Sequence, residues 1–302
     1  VQIAVAATPD VAIPTLELLL QSGHELACVI TQPDRPSGRG LALKETPVAL
    51  WANENRVTVH KPANQSELIS IVRNLDLVLT IGYGVIIKEE ILDLPKYGFI
   101  NLHFSLLPKW RGAAPVQRAI EAGDTTTGVT VFKLDKGMDT GPVYLQKDFA
   151  ISDVTTSESL LKELSQLGAP AVMEAISAIS QGISPLKQSE IGSSRAEKLS
   201  KEEGRIDWKA PADQIDRKIR AFYPAPGSWT TFREEVIKID SVLISDQPSR
   251  SPGEILISDR DLLVSTGSKS LQITSIKPAG KPAMTASAWL NGARITPQER
   301  FV

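Results

Sequence analysis

Along the first half of the chain, continuous apolar runs alternate with segments whose apolar residues recur every three or four positions. The first pattern fits strands buried on both faces, and the second fits amphipathic helices. They predict a strand over 3–8, a helix over 11–21 closed by Gly23, and a strand over 25–31. The alternation continues with a helix over 47–55, a strand over 57–60, a helix over 66–74 and a strand over 77–81. A short strand then enters at 97–100 and runs into Asn101 and His103. Beyond it the pattern gives a helix over 114–122 and strands over 128–134 and 143–151. This order is that of a doubly wound, Rossmann-like α/β domain.

After residue 151 the pattern changes. Thr155 to Glu158 has capping-box spacing and opens a helix carrying Leu160, Leu161, Leu164 and Leu167, with a break or kink expected at Gly168 and Pro170. Helical spacing resumes through Ala171, Val172, Ala175, Ile176 and Ile179. Residues 183–204 turn polar and irregular. A helix over 212–222 is followed by short strands at 228–232, 236–244, 253–257, 262–265 and 271–276, a spacing that suggests a small barrel. The expected organisation is a first domain over 1–189, a linker over 190–203 and a smaller β-domain over 204–302.

Composition narrows the class. Hydrophobic residues make up 42% and charged residues 23% of 302, typical of a globular protein with ordinary cores. Apolar runs fall short of the ~20 residues a membrane helix needs, so no span is expected. A lone Cys28 in an apolar strand reads as core packing. The first residues run from a strand into Thr8-Pro9-Asp10 without the basic start of a signal peptide, which favours a cytoplasmic protein. A monomer is expected, because no heptad stands out. Net charge is −2, unevenly spread: residues 204–302 carry 14 Lys and Arg against 11 Asp and Glu, whereas 1–203 carry 19 against 24. A phosphate-facing second domain is compatible with that asymmetry, as is a solvated mixed surface.

The first β-to-α turn, Ala6-Ala7-Thr8-Pro9-Asp10, has no Gly-x-Gly-x-x-Gly, which argues against a dinucleotide enzyme. Residues 32–47 hold Pro33, Pro36, Gly38, Gly40 and Pro47, too many breakers for a helix or central strand, and read as a long loop. In a strand, residues two apart share a face, so Asn101 and His103 point together and Leu102 points away. A carboxamide and an imidazole side by side can donate to an oxygen that becomes an oxyanion. His24 and His60 lack a nearby carboxylate pattern and read as structural. Asp135 and Asp139 lack a third ligand, so no metal is expected.

Asn101-x-His103, then Ser105-Leu106-Leu107-Pro108 and Asp139 in Asp135-Lys136-Gly137-Met138-Asp139-Thr140-Gly141, resemble the signature of formyltransferases that use 10-formyltetrahydrofolate. Residues 31–40 and Trp110-Arg111-Gly112-Ala113-Ala114-Pro115 resemble the branch that formylates methionyl-initiator tRNA, over nearly the whole chain. The resemblance implies Asn101, His103 and Asp139 as catalytic residues. It also implies a folate site shaped by Ser105, Leu106, Leu107 and Pro108 and by the loop with Tyr83, Gly84 and Ile86. Arg35, Arg39 and Lys44 are the expected tRNA contacts, with Arg39 matching the key arginine. The second domain is expected to be an oligonucleotide-binding-type barrel. Two departures stand out: Leu41-Ala42-Leu43 where relatives often have lysines, and Lys88 where they often have proline. Trp110 to Gly112 either contacts the methionyl end or braces its loop. Competing functions are formylation of an amino sugar or glycinamide ribonucleotide, formyltetrahydrofolate hydrolysis, and an inactive tRNA-binding module.

Overall fold

The computed structural model describes residues 1–37, 42–296 and 299–302. The chain divides into two compact units. The first comprises Val1–Pro115, Thr126–Ala150 and Leu161–Ala196, and the second comprises Val116–Thr125, Ile151–Leu160 and Glu197–Val302.

The first unit is built on a seven-stranded sheet: β1 (Gln2–Ala7), β2 (Glu25–Ile30), β3 (Val59–His60), β4 (Leu77–Ile81), β5 (Phe99–His103), β6 (Thr126–Lys133) and β7 (Val143–Ala150). Their order is β7-β6-β5-β4-β1-β2-β3, parallel from β3 to β5 and antiparallel at β6 and β7. The expected strands are therefore all present, and the strand order reverses between β1 and β4. At such a switch point the carboxyl ends of the strands leave a crevice for ligands.

Helices α1 (Ile13–Leu20), α2 (Pro47–Glu54) and α3 (Gln65–Val72) make the connections between the early strands. Thr46 caps α2 by accepting the Ala49 N–H at 3.1 Å, and Asn64 caps α3 by accepting the Glu67 N–H at 3.0 Å. Ala4, Ala6, Cys28, Ile30, Val78 and Phe99 of the sheet share a core with Leu68 and Val72 of α3. Cys28 is thus a packing residue, and burial pushes its thiol up to about 11.

Two expectations are corrected. Residues 32–47 are not wholly loop, because Arg35–Ser37 pairs antiparallel with Ala42–Lys44. Prolines and glycines exclude a central strand, but a two-stranded ribbon leaves one side of each strand unpaired and tolerates Pro36. Nor does the later helix break: after α4 (Pro115–Ala122), α5 runs continuously over Ser157–Ser180 with Pro170 inside. Gly168 lies against the sheet, where an added Cβ would sit 2.7 Å from Leu102 Cδ2. Packing on Leu102, the residue facing away from Asn101 and His103, outweighs the one backbone hydrogen bond that proline removes.

In the second unit, after α6 (Ala212–Phe222), come β8 (Ser228–Phe232), β9 (Glu235–Pro248), β10 (Ile255–Ser258), β11 (Asp261–Ser265), β12 (Lys269–Pro278), β13 (Met284–Thr285) and α7 (Ala286–Ala293). The antiparallel order is β8-β9-β12-β11-β10, with β13 also on β12. The final residues join the two edges. Thr231 of β8 and Val302 exchange N–H···O bonds of 3.0 Å, while Phe301 N–H donates to Gly253 and Ile255 N–H of β10 donates to Glu299. This closes a small barrel around Trp208, Phe232, Trp289 and Phe301, whose ring centroids lie 5.3 to 5.9 Å apart.

Candidate active site

The parallel strands end on one edge of the sheet, and β5 brings Asn101 and His103 there. Asn101 pairs in register with Thr80 of β4 on one side and Phe132 of β6 on the other. The Thr80 hydroxyl lies 2.7 Å from Asn101 Oδ1 and 3.1 Å from the Ile100 carbonyl, and shares its one proton between these two acceptors. The amide nitrogen makes no hydrogen bond among the described residues, so its two N–H groups remain available to a ligand.

His103 is 6% exposed and lies edge-on to Phe132. Its Nε2 is 2.9 Å from the Trp110 carbonyl oxygen. A carbonyl can only accept, so the Nε2 proton is fixed and Nδ1 is the nitrogen left facing Asp139. Nδ1 and Asp139 Oδ2 are 3.7 Å apart, beyond a direct hydrogen bond and close enough for charge attraction.

Asp139 owes its position to the turn between β6 and β7. Asp135 Oδ1 accepts from the Gly137 N–H at 2.9 Å and from the Thr140 hydroxyl at 2.7 Å, so this aspartate folds the turn. Asp139 sits at φ +57°, a left-handed conformation that aspartate tolerates better than most side chains. Its Oδ2 accepts the Gly112 N–H at 2.8 Å. Gly112, at φ +130°, passes so near the Ala196 carbonyl that a Cβ would lie 2.5 Å from it. Among the described residues no cluster of three His, Cys, Asp or Glu could hold a metal ion.

The segment Ser105 to Pro108 follows directly. Its polar groups are internally engaged: the Ser105 hydroxyl donates to the Lys109 carbonyl at 2.6 Å, and Leu107 N–H donates to Thr130 Oγ1 at 3.1 Å. Thr130, buried in β6 opposite His103, also donates to the Ser105 carbonyl. Gln146 completes the frame by donating to the Leu107 carbonyl at 2.7 Å. Ser105 to Leu107 are therefore held rigidly beside the pair, with Leu106 half-buried and the Leu107-Pro108 bond cis.

Tyr83, Gly84 and Ile86 occupy the turn after β4. The Tyr83 carbonyl accepts from Thr8 at 3.0 Å and Gln32 at 2.8 Å, and burial of its ring raises the phenol above its usual range. Gly84 stands at φ +73°, a left-handed conformation that favours glycine, and a Cβ there would press on the Gln32 amide. Ile86 is 82% exposed. After β2, Arg35 and Lys44 lie exposed on the ribbon, where Arg35 donates to Gln32 Oε1 at 2.5 Å. Arg39 lies outside the described residues. Lys61 spans the base of the ribbon and pairs with both Asp34 and Glu45.

The sequence pattern missed Thr80, Gln188 and the backbone partners at Trp110 and Gly112. Thr80 had one signal, a hydroxyl inside the otherwise apolar strand Leu77–Ile81. Backbone carbonyls and N–H groups leave no trace in residue type.

Residues 1–176 match the formyl transferase family model and residues 198–294 match the formyl transferase C-terminal domain. A methionyl-tRNA formyltransferase of Salinispora tropica is 43% identical over 300 residues, covering 97% of each chain. One from Thermobifida fusca is 43% identical over 302 residues, covering 98% of this chain and 97% of its own. Among solved structures, an N-formyltransferase from Helicobacter canadensis in complex with folinic acid and dTDP-3-aminofucose superposes with a TM-score of 0.70. It is 19% identical, and the match covers 92% of this chain and 99% of that one. HypX from Aquifex aeolicus with tetrahydrofolic acid gives 0.69 at 17% identity over 96% of this chain, which spans 46% of HypX. At those identities the solved structures bear on the fold alone, whereas the two relatives match from end to end. The chain belongs to the methionyl-tRNA formyltransferase family.

Proposed function

We propose that this chain transfers the formyl group of 10-formyltetrahydrofolate to the α-amine of methionine esterified to initiator tRNA, giving formylmethionyl-tRNA for translation initiation. The observation that carries the proposal is the convergence of Asn101, His103 and Asp139 at the carboxyl end of β5, with the Asn101 amide nitrogen uncommitted.

The neutral amine attacks the formyl carbon and the carbonyl π electrons move to oxygen. Asn101 N–H and the Nδ1–H of the imidazolium form of His103 are the donors assigned to that oxyanion. The 3.7 Å gap between Nδ1 and Asp139 leaves room for a substrate oxygen at Nδ1, while the carboxylate orients the ring. Asp139 relays the proton released by the attacking amine through water. As the tetrahedral species collapses, the bond to the folate nitrogen breaks and that nitrogen takes up a proton, releasing tetrahydrofolate.

The folate lies along Ser105 to Pro108 and the Tyr83 to Ile86 turn. The exposed Ile86 suits an apolar ring face, and the rigid Thr130 frame gives Leu106 to Pro108 a fixed shape. Arg35, Arg39 and Lys44 contact tRNA phosphates, and the barrel of 204–302 carries a further part of the tRNA. Residues 1–189 then form the catalytic part and 190–203 the connection. The protein works as a monomer in the cytoplasm, where charged tRNA is made.

The test is formyl transfer from 10-formyltetrahydrofolate to methionyl-initiator tRNA, with uncharged tRNA and water as control acceptors. Product on the charged tRNA alone is expected. Equal loss of formyl from the folate without charged tRNA would mark a hydrolase and remove the tRNA assignment.

A further inference from the structure

Gln188 comes from the polar segment that the sequence pattern leaves without a role, yet it is 7% exposed and every polar group of its side chain is engaged. Its Nε2 donates to the Asp139 carbonyl at 2.9 Å and to the Gly141 carbonyl at 2.7 Å. Its Oε1 accepts from Arg111 Nε at 3.2 Å and Nη2 at 2.9 Å. Arg111 immediately precedes Gly112, whose N–H donates to the Asp139 carboxylate. One carboxamide therefore joins the backbone of the Asp139 turn to the side chain beside the N–H that orients the Asp139 carboxylate.

The loop formed by these bonds closes: Asp139 carboxylate, Gly112 N–H, Arg111 guanidinium, Gln188 amide, and back to the Asp139 carbonyl. Arg111 is only 11% exposed, and its second partner Glu190 lies mostly in solvent, where such a pair contributes little. The strong tie is the buried one to Gln188. Asp139 needs it, because its left-handed backbone stands in a turn and its carboxylate would otherwise rest on a single N–H.

We infer that Gln188 and Arg111 are positioning residues that hold the Asp139 carboxylate at its distance from His103 Nδ1. Arg111 is thereby assigned to bracing its loop. The inference rests on the catalytic reading of Asp139 proposed above. Gln188→Ala leaves both carbonyls and the guanidinium without their partner. Gln188→Glu keeps the shape and the acceptor but removes both donors, so it is expected to retain the contact with Arg111 and release the turn.

The experiment measures kcat and KM for both substrates in the full chain carrying Gln188→Ala, Gln188→Glu, Asp139→Asn and the Gln188→Ala, Asp139→Asn pair. Amide exchange at Gly112 is followed in each variant alongside the melting temperature. A displaced catalytic group commonly costs about 100-fold in rate, so kcat for both Gln188 variants is expected to fall about 10- to 100-fold with KM nearly unchanged. Gly112 exchange is expected to rise while the melting temperature stays close to the parent. In the Asp139→Asn background, Gln188→Ala is expected to cost less than about threefold more, by the ordinary criterion for residues that act through one another.

Two kinetic outcomes overturn the inference: kcat within about twofold of the parent in Gln188→Ala, or the same fold-loss with and without Asp139. Should Asp139→Asn alone turn over normally, the catalytic reading of Asp139 falls. Gly112 exchange then decides the brace separately, since unchanged exchange in Gln188→Ala shows that Gln188 does not hold this turn.

Discussion

A carboxamide can present either end to a substrate, and at Asn101 its neighbour Thr80 bears on the choice. The Thr80 hydroxyl is nearer Oδ1, at 2.7 Å, than its other acceptor, the Ile100 carbonyl at 3.1 Å, and a proton on Oδ1 leaves the N–H groups to face the crevice, the polarity that a developing oxyanion requires. Asn101→Ala is therefore expected to lower kcat about 100- to 1000-fold, the usual cost of one oxyanion donor. Thr80→Val keeps the shape of the strand and removes the hydroxyl with its bonds to Asn101 and the Ile100 carbonyl. Losing a hydrogen bond of about 1 kcal/mol frees the carboxamide to rotate, so kcat should fall roughly tenfold with little change in folate KM. Steady-state kinetics of both variants check this, and a Thr80→Val enzyme with parental kcat would mean that the hydroxyl does not orient Asn101. Asn101 and His103 are legible in the sequence because a period of two places them on one face whatever the tertiary structure. Thr80 is not, because its neighbour across the sheet is chosen by strand order and register. For the same reason the sequence could name His103 but not that the Trp110 carbonyl takes its Nε2.

At the scale of elements, periodicity identified the strands of the sheet because the central ones are apolar runs bounded by turn residues. It failed where tertiary contacts decide. Pro170 reads as a break, and only the approach of Gly168 to Leu102 reveals why α5 continues. Barrel closure was equally hidden, since residues 299–302 carry no alternating pattern and become a seam only by lying between β8 and β10. Arg233 secures that seam. It sits with Glu234 in a left-handed turn between β8 and β9, donates to Glu299 Oε1 at 2.6 Å and Oε2 at 2.9 Å, and also reaches the Ala293 and Arg294 carbonyls. The Arg233 guanidinium, helped by the Thr296 N–H, pulls the Glu299 carboxyl down to about 2 from its ordinary 4.5. A depressed carboxyl stabilises the folded state above the unfolded value and stops doing so as pH falls through the folded one. Glu299→Gln should thus lower the urea midpoint at pH 7, and the gap from the parent should close as pH drops from about 4.5 toward 2. Near-ultraviolet circular dichroism of the Trp208 and Trp289 cluster reports the transition. A gap independent of pH would mean that charge at Glu299 does not secure the seam.

Over the whole molecule the net charge of −2 conceals a local arrangement that suits a polyanion. The catalytic half is the more acidic one, yet the acids of the 32–47 ribbon, Asp34 and Glu45, are both paired with Lys61 from outside it. Arg35 and Lys44 stand exposed, so the ribbon displays cations while its two carboxylates share one ammonium at the base. Leu43 is exposed on the same ribbon and adds no charge to it. A cation that meets a phosphate releases a counterion, and removing one such cation lowers the slope of log affinity against log salt by about one. The pair Arg39→Ala with Lys44→Ala should therefore weaken charged-tRNA binding most at low salt and flatten that slope by about two. Lys61→Met is expected to weaken binding by a different route, freeing the Asp34 and Glu45 carboxylates while leaving Arg39 and Lys44 unchanged. Titration of labelled initiator tRNA at several salt concentrations separates the two. A parental slope in the Arg39 and Lys44 double variant would move the phosphate contacts off this ribbon and leave the barrel, with its excess of Lys and Arg, as the surface that holds the tRNA.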